Sequence, residues 1–282
     1  MDDPILNFYG VFGGLYLPHL RNALWHQLAL AESEVRRGQP PTVDTLDIDA
    51  DGLEELWVHS SAFSAIVSPH RGGAVETLLC FADQRNLADT LTRRHEAYHD
   101  APPESHAPAD WSSGLPSIHE LERSSRLSAT QLPVDRDGRA ILVDRVLPPH
   151  LTREAYALVG YVPLASWAGT HMAASVRLET DALVIELRGD GLEKVLRFTA
   201  SELTAWYRWD PRRFPNDATF APELSLAAET GLVCKPDTEV WRYPVVTVAK
   251  SERGLDEVVQ GVALTPRWPA HLGSAELQLR LR

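Results

Sequence analysis

The stretch ALVIELRGDGLEKVLRFTASELTAWYRW, residues 182–209, decides the fold class of this chain. Apolar and polar residues alternate along Ala182–Leu187, Lys194–Thr199 and Leu203–Trp209, which is the period of strands with one buried face. Asp190-Gly191 lies between the first two runs, and an Asp-Gly pair favours the tight turn of a β-hairpin. The stretch therefore predicts three consecutive antiparallel strands.

The same period continues on both sides of this stretch, with glycine, proline and Asp-Gly turn residues between the runs. The other predicted strands are Glu55–His59, Phe63–Ser68, Ala74–Phe81, Ala140–Val146, Ala155–Val162, Ala173–Leu178, Glu223–Ala227, Val245–Ala249, Glu257–Leu264 and Glu276–Leu281. Many short strands with little helix between them predict an antiparallel sandwich. We place it at residues 43–282, with a surface loop or linker at Asp100–Ser113, where Pro, Ser, Ala and Asp are frequent.

The segment in front of the sandwich, residues 1–42, has a helical period instead. Pro18 suits a first helical turn, where its missing N–H would have no partner, and Gly38 followed by Pro40-Pro41 is typical of a helix end. Between these signals one apolar stripe recurs at steps of three and four residues, at Leu20, Leu24, Leu28, Ala31 and Val35. A single helix cannot bury this stripe by itself. We therefore expect a contact with the sandwich, a second copy or a partner chain, formed by Leu20, Leu24, Leu28 and Val35.

Charge and composition exclude several classes of partner. The 282 residues include 27 basic and 39 acidic side chains, which gives a formal net charge of −12. A surface that negative repels phosphate backbones and anionic lipids, and this argues against nucleic acid or a membrane surface as the main partner. Neutral sugars remain candidate ligands. The length allows one large β domain or two smaller units.

The sequence shows no signal for secretion or for a membrane span. The uncharged stretch from Ala155 to Gly169 is interrupted by Pro163 and is shorter than the roughly 20 residues that a membrane helix needs. The first residues, Met-Asp-Asp, do not form the basic region of a signal peptide. Cys80 and Cys234 lie in apolar segments, so we expect two buried, reduced thiols in a cytoplasmic protein, with a disulfide as the alternative.

A regular acidic motif comes directly before the first predicted strand. Asp47, Asp49 and Asp51 stand at alternate positions and are followed by a glycine, and such oxygen clusters suit Ca²⁺. Glu55 stands where a ninth-position ligand would fall, but Val58 replaces the glutamate that ends an EF-hand loop. Two interpretations stay open: a Ca²⁺ site formed by the three aspartates and Glu55, or an acidic turn whose carboxylates bond the backbone.

Aromatic residues offer candidate sugar contacts, because their faces stack on pyranose rings. The chain has eight tryptophans, and the candidates are Trp206, Trp209, Trp241 and Trp268. The alternative is that they are core or domain-interface residues, as most tryptophans in a sandwich are.

The histidines raise the hypothesis of a mutarotase-type acid/base pair. His99, His119 and His171 stand in no recognisable motif, so surface or partly buried histidines without a catalytic role are the alternative. The sequence also lacks the Gly-x-Ser-x-Gly, His-Glu-x-x-His and phosphate-loop motifs.

Three segments resemble, in the same order, parts of glycoside hydrolase family 57, the α-amylase and 4-α-glucanotransferase type. Residues 8–21, FYGVFGGLYLPHLR, resemble the last conserved stretch of that family's catalytic domain. Residues 47–55, followed by Gly72-Gly73 and residues 86–99, are similar to the start of the family's C-terminal β domain. Residues 241–269 are similar to the end of the same domain. Together these segments span nearly the whole chain.

The resemblance implies a galactose-mutarotase-like antiparallel supersandwich, packed in the family against a pseudo-TIM barrel that performs the chemistry. In family 57 the glutamate nucleophile and the aspartate acid/base lie in motifs upstream of the Gly-Val-Phe-Gly-Gly stretch, which is residues 10–14 here. No residue of this sequence can therefore inherit either role. The family's Trp-His pair, which lies by the substrate cleft, is replaced by Phe8-Tyr9 after Asn7, and this departure favours a non-catalytic relative.

The expected function is that of an accessory domain, which binds an α-glucan or supports a catalytic barrel chain and forms homo-oligomers if its stripe pairs with itself. One alternative is the C-terminal part of a split or truncated family-57 enzyme. A second alternative is an independent sugar mutarotase or epimerase.

Overall fold

The structure is a computed structural model, and it describes residues 15–96, 99, 133–251 and 254–281. Residues 8–14 of the N-terminal motif, the predicted loop Asp100–Ser113 and His119 lie outside the described residues. Within the ranges described, no helix combines the length and the apolar character that a membrane span requires.

The long helix predicted at the N-terminal side is present as α1 (Pro18–Val35). Pro18 lies in its first turn, where no backbone donor is required. The chain leaves the helix through Arg36, and Gly38 then adopts a left-handed φ of 72°. The helix start and stop signals of the sequence are thus confirmed.

A short second helix, α2 (Arg153–Ala157), shows that the predicted strand Ala155–Val162 was wrong. The Thr152 hydroxyl accepts a hydrogen bond from the Ala155 amide at 3.2 Å and caps the first turn. The apolar run that follows forms no strand, because Ala157 and Tyr161 pack with Tyr156 across the face of a sheet instead of pairing with its edge.

Two sheets form most of the described chain, and their strands are numbered in chain order. The larger sheet contains β1 (Thr42–Leu46), β2 (Glu55–His59), β3 (Phe63–Ser68), β4 (Ala74–Cys80), β5 (Arg85–Asn86), β6 (Ile141–Leu147), β7 (Ala165–Ser166), β12 (Thr219–Leu226), β14 (Val240–Ser251), β15 (Gly254–Pro266) and β16 (Trp268–Pro269). The smaller sheet contains β8 (Ala173–Leu178), β9 (Leu183–Gly189), β10 (Leu192–Phe198), β11 (Glu202–Trp209), β13 (Leu232–Lys235) and β17 (Ser274–Arg280).

All strand pairs in the described residues are antiparallel. The main order is β1-β2-β3-β4-β6-β12-β15-β14 in the larger sheet and β13-β17-β11-β10-β9-β8 in the smaller one. The predicted mainly β antiparallel supersandwich, preceded by one long helix, is therefore confirmed. The division into units 1–42 and 43–282 stays a prediction.

Strands β9 and β10 form the hairpin that Asp190-Gly191 predicts. Only these two residues connect the strands, and Gly189 pairs with Leu192 across the turn. The φ angles are 42° at Asp190 and 73° at Gly191, which are the two left-handed residues of a tight hairpin turn. Strand β11 pairs with β10 on the other side, so residues 182–209 form three consecutive antiparallel strands as expected.

The hydrophobic core lies between the inner faces of the two sheets. Leu192, Leu196 and Phe198 point inward from β10 and are at most 1% exposed. Phe220 and Leu224 point inward from β12 and belong to the same cluster. Burial of this alternating set is the main free-energy gain of the fold.

The two cysteines are separate thiols, as expected. Cys80 is buried in the core, whereas Cys234 is only half-buried, so the prediction of two buried thiols holds for the first alone.

One charged residue occupies an inward position in this core. Lys194 follows the alternation of β10 and is fully buried, and its Nζ lies 2.8 Å from Oδ2 of Asp144 on β6. The Nζ also donates hydrogen bonds, over 3.0–3.1 Å, to the carbonyls of Gly72, Gly73 and Leu142. An ammonium has three protons, which these three carbonyls can accept, so Asp144 contributes chiefly its charge. Lys194 thereby joins the smaller sheet to the larger one.

Candidate functional site

Helix α1 packs on the larger sheet through one face, whose residues are spaced four apart in the sequence. Ala29 is buried with Trp25 against Leu79 of β4. One turn earlier, Nε of Arg21 donates to Oδ1 of Asp89 at 2.9 Å, and both side chains are 9% exposed. This face, formed by Arg21, Trp25 and Ala29, fixes the helix on the sandwich.

The predicted leucine stripe lies on a different face of α1. Each residue advances an α-helix by about 100°, and the stripe is displaced from the packed face by one residue. The exposed fractions are 44% for Leu20, 67% for Leu24, 53% for Leu28 and 68% for Val35. Of the three contacts that the sequence left open, the described part of the sandwich leaves this stripe largely exposed. A second copy or a partner chain remains.

Three of the four candidate sugar-stacking tryptophans have no open ring face. Trp209 is 3% exposed and stacks on Phe220, with 4.2 Å between the ring centroids. Trp268 is fully buried, and Trp241 is 6% exposed with the Arg267 guanidinium 3.8 Å from its ring centroid. Protein covers the faces of these three rings, and this argues against a role as sugar contacts.

Trp206 differs from the other three because it points to the outer face of the smaller sheet. It is 37% exposed, and its cross-strand neighbours are Val195 and Glu276. Its role as a carbohydrate contact stays a prediction.

The acidic motif forms the loop between β1 and β2. The Asp47 carboxylate accepts hydrogen bonds from the amides of Asp51 and Gly52 at 3.1 Å and 3.0 Å. The Asp49 carboxylate also accepts from the Asp51 amide, at 3.2 Å. Left-handed φ angles at Ala50 (61°) and Gly52 (90°) make the turn tight. The three exposed aspartates are thus held on one small loop.

Glu55 and His70 complete this cluster from the side of the sheet. Glu55 is 2% exposed, and its Oε2 accepts from the Ile48 amide at 2.9 Å. Its Oε1 is buried and has no hydrogen-bond partner. Nε2 of His70 lies 3.5 Å from that oxygen and 3.8 Å from Oδ2 of Asp51. The structure therefore brings the four predicted ligand residues together and adds His70, which no sequence spacing indicated.

Residues 151–161, which include α2, pack on the outer face of the larger sheet and form its cover. A second cluster of charges lies under this cover. Oε2 of Glu223, on β12, accepts from the hydroxyls of Tyr243 at 2.7 Å and Tyr156 at 2.8 Å. Its Oε1 lies 3.4 Å from Nη1 of Arg139. Arg139 in turn donates from Nε and Nη2 to the two oxygens of Asp135, each at 2.7 Å.

Two further arginines balance the charge of this cluster. Arg93 donates to Asp135 from Nε and Nη2 at 3.0 Å and 2.7 Å, and Arg145 donates to Asp137 at 2.6 Å. Burial by itself would raise the pKa of Glu223 and of Asp135, but the arginines outweigh burial and hold both pKa values below their ordinary range. Both carboxylates are therefore ionised and paired at neutral pH. They tie the cover to the sheet and are not poised for acid/base catalysis.

The histidines of the mutarotase hypothesis are not arranged as an acid/base pair around an open cleft in the described part of the chain. His99 is buried: its Nδ1 accepts from the Glu96 amide at 3.0 Å, and its Nε2 lies 3.2 Å from the Val248 carbonyl. Both ring nitrogens are thus engaged by backbone. His171 is exposed next to β8.

The buried charged residues were missed at the level of the sequence, although one signal was present. Asp144 and Arg145 interrupt the apolar run of β6, and both are buried, on opposite faces of the sheet. Charged residues inside an apolar strand are buried only when they are paired. Lys194, the partner of Asp144, could not be chosen from spacing because it lies on a strand of the other sheet, whereas Asp137 lies only eight residues before Arg145.

Comparisons with known proteins match almost the full length of the chain. The family model described as α-amylase/4-α-glucanotransferase, C-terminal, matches residues 47–232 and 228–281. The model described as the middle domain of the same proteins matches residues 6–35.

Individual relatives give the same picture. A 4-α-glucanotransferase of Thermococcus kodakarensis is 33% identical over 98% of this chain, which covers 45% of that protein. An α-amylase of Pyrococcus abyssi is 29% identical, again over 98% of this chain and 45% of its own length. The crystal structure of the 4-α-glucanotransferase from Thermococcus litoralis superposes with a TM-score of 0.75 at 27% identity, over 96% of this chain and 45% of that one. The chain thus spans less than half the length of the curated relatives that it matches.

Proposed function

The chain belongs to the family of α-amylase/4-α-glucanotransferase C-terminal domains, and on that premise we propose that it is the non-catalytic support of a catalytic barrel in an α-glucan-active enzyme. The resemblance to family 57 supports this role, since that family has its catalytic carboxylates in motifs upstream of residues 10–14. In the described residues, the buried carboxylates Glu223 and Asp135 are held ionised by arginines. Neither offers a substitute for a glycosidase acid.

The exposed leucine stripe of α1 is the observation that carries the proposal. Leu24 and Leu28 are 67% and 53% exposed on a helix whose neighbouring face is packed on the sandwich. Contiguous exposed apolar surface of this kind marks an interaction site. The proteins matched by this chain are more than twice its length, so a further domain is the partner that fits this surface.

Carbohydrate binding by the sandwich itself is the second candidate function, and Trp206 is the observation that favours it. An exposed indole on a flat sheet can stack on a sugar ring. The other three candidate rings are covered, so the sandwich offers one contact where an aromatic platform would need several. We therefore rank support of a catalytic domain above glucan binding.

We expect the Leu24→Glu/Leu28→Glu variant to lose association through α1. Without its barrel the wild-type chain should cover the stripe with a second copy at high concentration. Burial of a leucine contributes about 1.5–3 kcal/mol, so loss of two should weaken association by roughly 100-fold or more. Sedimentation velocity should show associated wild type and monomeric variant. The far-ultraviolet circular dichroism should be the same for both, since the side chains of Leu24 and Leu28 are more than half exposed.

Leu30→Glu is the matched control for this experiment. Leu30 lies on α1 outside the stripe and is 37% exposed, so the same substitution there should leave association within a few-fold of wild type. A wild-type chain that stays monomeric at high concentration and does not bind a family barrel would contradict the support role. Turnover of maltooligosaccharide by the purified chain alone would contradict its non-catalytic character.

A split enzyme is the remaining alternative, in which the barrel is a separate chain and activity appears only in the mixture. It uses the same α1 surface and so predicts the same effect of the double variant. The activity of the barrel on its own distinguishes the support role from the split enzyme. A support domain increases the stability of a barrel that is already active. The half of a split enzyme is required for any turnover.

A further inference from the structure

We propose that the loop between β1 and β2 forms a Ca²⁺ site with Asp47, Asp49, Asp51 and the buried Glu55 as its ligands. This site is independent of the α1 surface and of the proposed role in supporting a barrel.

The distances in the loop fit one ion. Carboxylate oxygens of Asp47, Asp49 and Glu55 all lie within 4.8 Å of one another, as do ligand atoms of Asp51, Glu55 and His70. Ca²⁺ binds oxygen at about 2.3–2.6 Å, so two ligands on opposite sides of the ion are at most about 5 Å apart. Both groups of ligand atoms share Glu55. A cation beside Glu55 would therefore lie near the aspartates of both groups, and side-chain rotation would bring all three within ligand distance of one ion.

The buried carboxylate of Glu55 is the observation that distinguishes this loop from an ordinary acidic turn. An acidic turn satisfies its carboxylates with backbone amides and water, and the exposed aspartates follow that pattern. Glu55 is 2% exposed, and its Oε1 points into the cluster with no hydrogen-bond partner. A buried carboxylate oxygen without a hydrogen-bond partner is unfavourable, and a cation bound beside it would satisfy it. Among the residues that the structure describes, no lysine or arginine forms an ion pair with any of the four carboxylates.

Ligand chemistry selects Ca²⁺ over other divalent ions. Four carboxylates on a short loop supply hard oxygen ligands with flexible geometry, which Ca²⁺ accepts. Mg²⁺ requires a tighter octahedron and retains most of its water, and Zn²⁺ prefers cysteine and histidine. His70 supplies a single nitrogen, 3.5 Å from Oε1 of Glu55. We assign it a packing role beside the cluster rather than that of a ligand.

Calcium at this position would fasten the edge of the larger sheet. Leu46 of β1 pairs with Glu55 of β2 directly beside the loop. Two residues further along β2, the ring of Trp57 has the Arg36 guanidinium 4.9 Å from its centroid, and Arg36 follows the end of α1. The ion would therefore stabilise the strand on which the C-terminal end of α1 rests.

The test uses the full chain, stripped with chelator and then titrated with CaCl₂ in a calorimeter and in thermal melts. We expect a single site and a rise in Tm of about 5 °C at a Ca²⁺ concentration 100-fold above Kd. Glu55→Gln and Asp49→Asn should each lose the calorimetric signal and the rise. Asp49→Asn changes an exposed side chain and therefore tests the site even if Glu55→Gln folds poorly.

Glu54→Gln is the matched control, since Glu54 precedes Glu55 but is exposed and outside the cluster. It should keep the full response to Ca²⁺, and His70→Asn should bind Ca²⁺ within a few-fold of wild type. Equal melting curves with CaCl₂ and with chelator would overturn the proposal. A response to Zn²⁺ alone that disappears in His70→Asn would overturn the choice of ion and of ligands.

Discussion

Replacement of Lys194 by methionine is expected to lower the free energy of unfolding by about 3–5 kcal/mol, because it leaves the Asp144 carboxylate buried without its counter-charge. Both side chains of this pair are 0% exposed. The substitution also removes the donor for the carbonyls of Gly72, Gly73 and Leu142. Urea denaturation followed by circular dichroism measures the loss, which should appear as a lower midpoint with an unchanged slope.

Lys235→Met is the matched control for that substitution. Lys235 forms an ion pair with Glu276 at 3.0 Å, but its side chain is 56% exposed. An exposed pair contributes about 0–1 kcal/mol, so this variant should remain close to wild type.

The double variant Lys194→Met/Asp144→Leu should recover part of the stability, since it removes the unpaired carboxylate but not the three unsatisfied carbonyls. A Lys194→Met chain as stable as the control would contradict the role of the pair.

Replacement of Glu223 by alanine is the second change with a large expected effect, again about 3–5 kcal/mol of stability. It removes the acceptor of two tyrosine hydroxyls and the counter-charge of Arg139. Glu223→Gln should cost less, because the amide oxygen still accepts from Tyr156 and Tyr243. Glu193→Ala is the control, since Glu193 lies on a strand but its side chain is 48% exposed. Chemical denaturation ranks the three variants. An alanine variant at 223 that matches the control would show that the cover is held by apolar contacts alone.

The same network determines how stability depends on acidity. The pKa values of Glu223 and Asp135 are lower in the folded chain than their ordinary values near 4, which describe the unfolded chain. A group with a lowered folded pKa contributes stability that is fully present above the unfolded pKa and is lost as the pH falls towards the folded pKa. Wild type should therefore lose stability below about pH 4, and Glu223→Gln should lose less over that interval.

Local patterns predicted those parts of the fold that depend on neighbouring residues. The alternation of apolar and polar residues in β10 and the Asp190-Gly191 turn together specify a hairpin, and this hairpin depends on no distant contact. The error at Ala155–Val162 arose because an apolar run that packs across a sheet resembles a strand in composition, and the capping signal of Thr152 is short.

The candidate sites divide in the same way. Asp47, Asp49, Asp51 and Glu55 come from one loop and one strand end, so their clustering could be predicted from spacing. His70 and the partners of Glu223 come from distant segments, and only the folded chain brings them together. For the tryptophans, the sequence suggested an exposed sugar-binding surface, whereas three of the four candidate rings are buried in the folded chain.

Helix α1 packs on the sandwich with one face and exposes the leucine stripe on another, and under the proposed support role this has a consequence for recombination between enzymes of this family. Trp25 and Ala29 pack on the sheet, whereas Leu24 and Leu28 are exposed and would contact the proposed partner. A chimaera joined in the loop after Val35 would separate the helix from the sheet that shapes it. One joined before Pro18 would keep that packing and transfer the docking surface with it. Successful domain exchange should therefore favour junctions on the N-terminal side of the helix, together with compensating changes in the acceptor barrel.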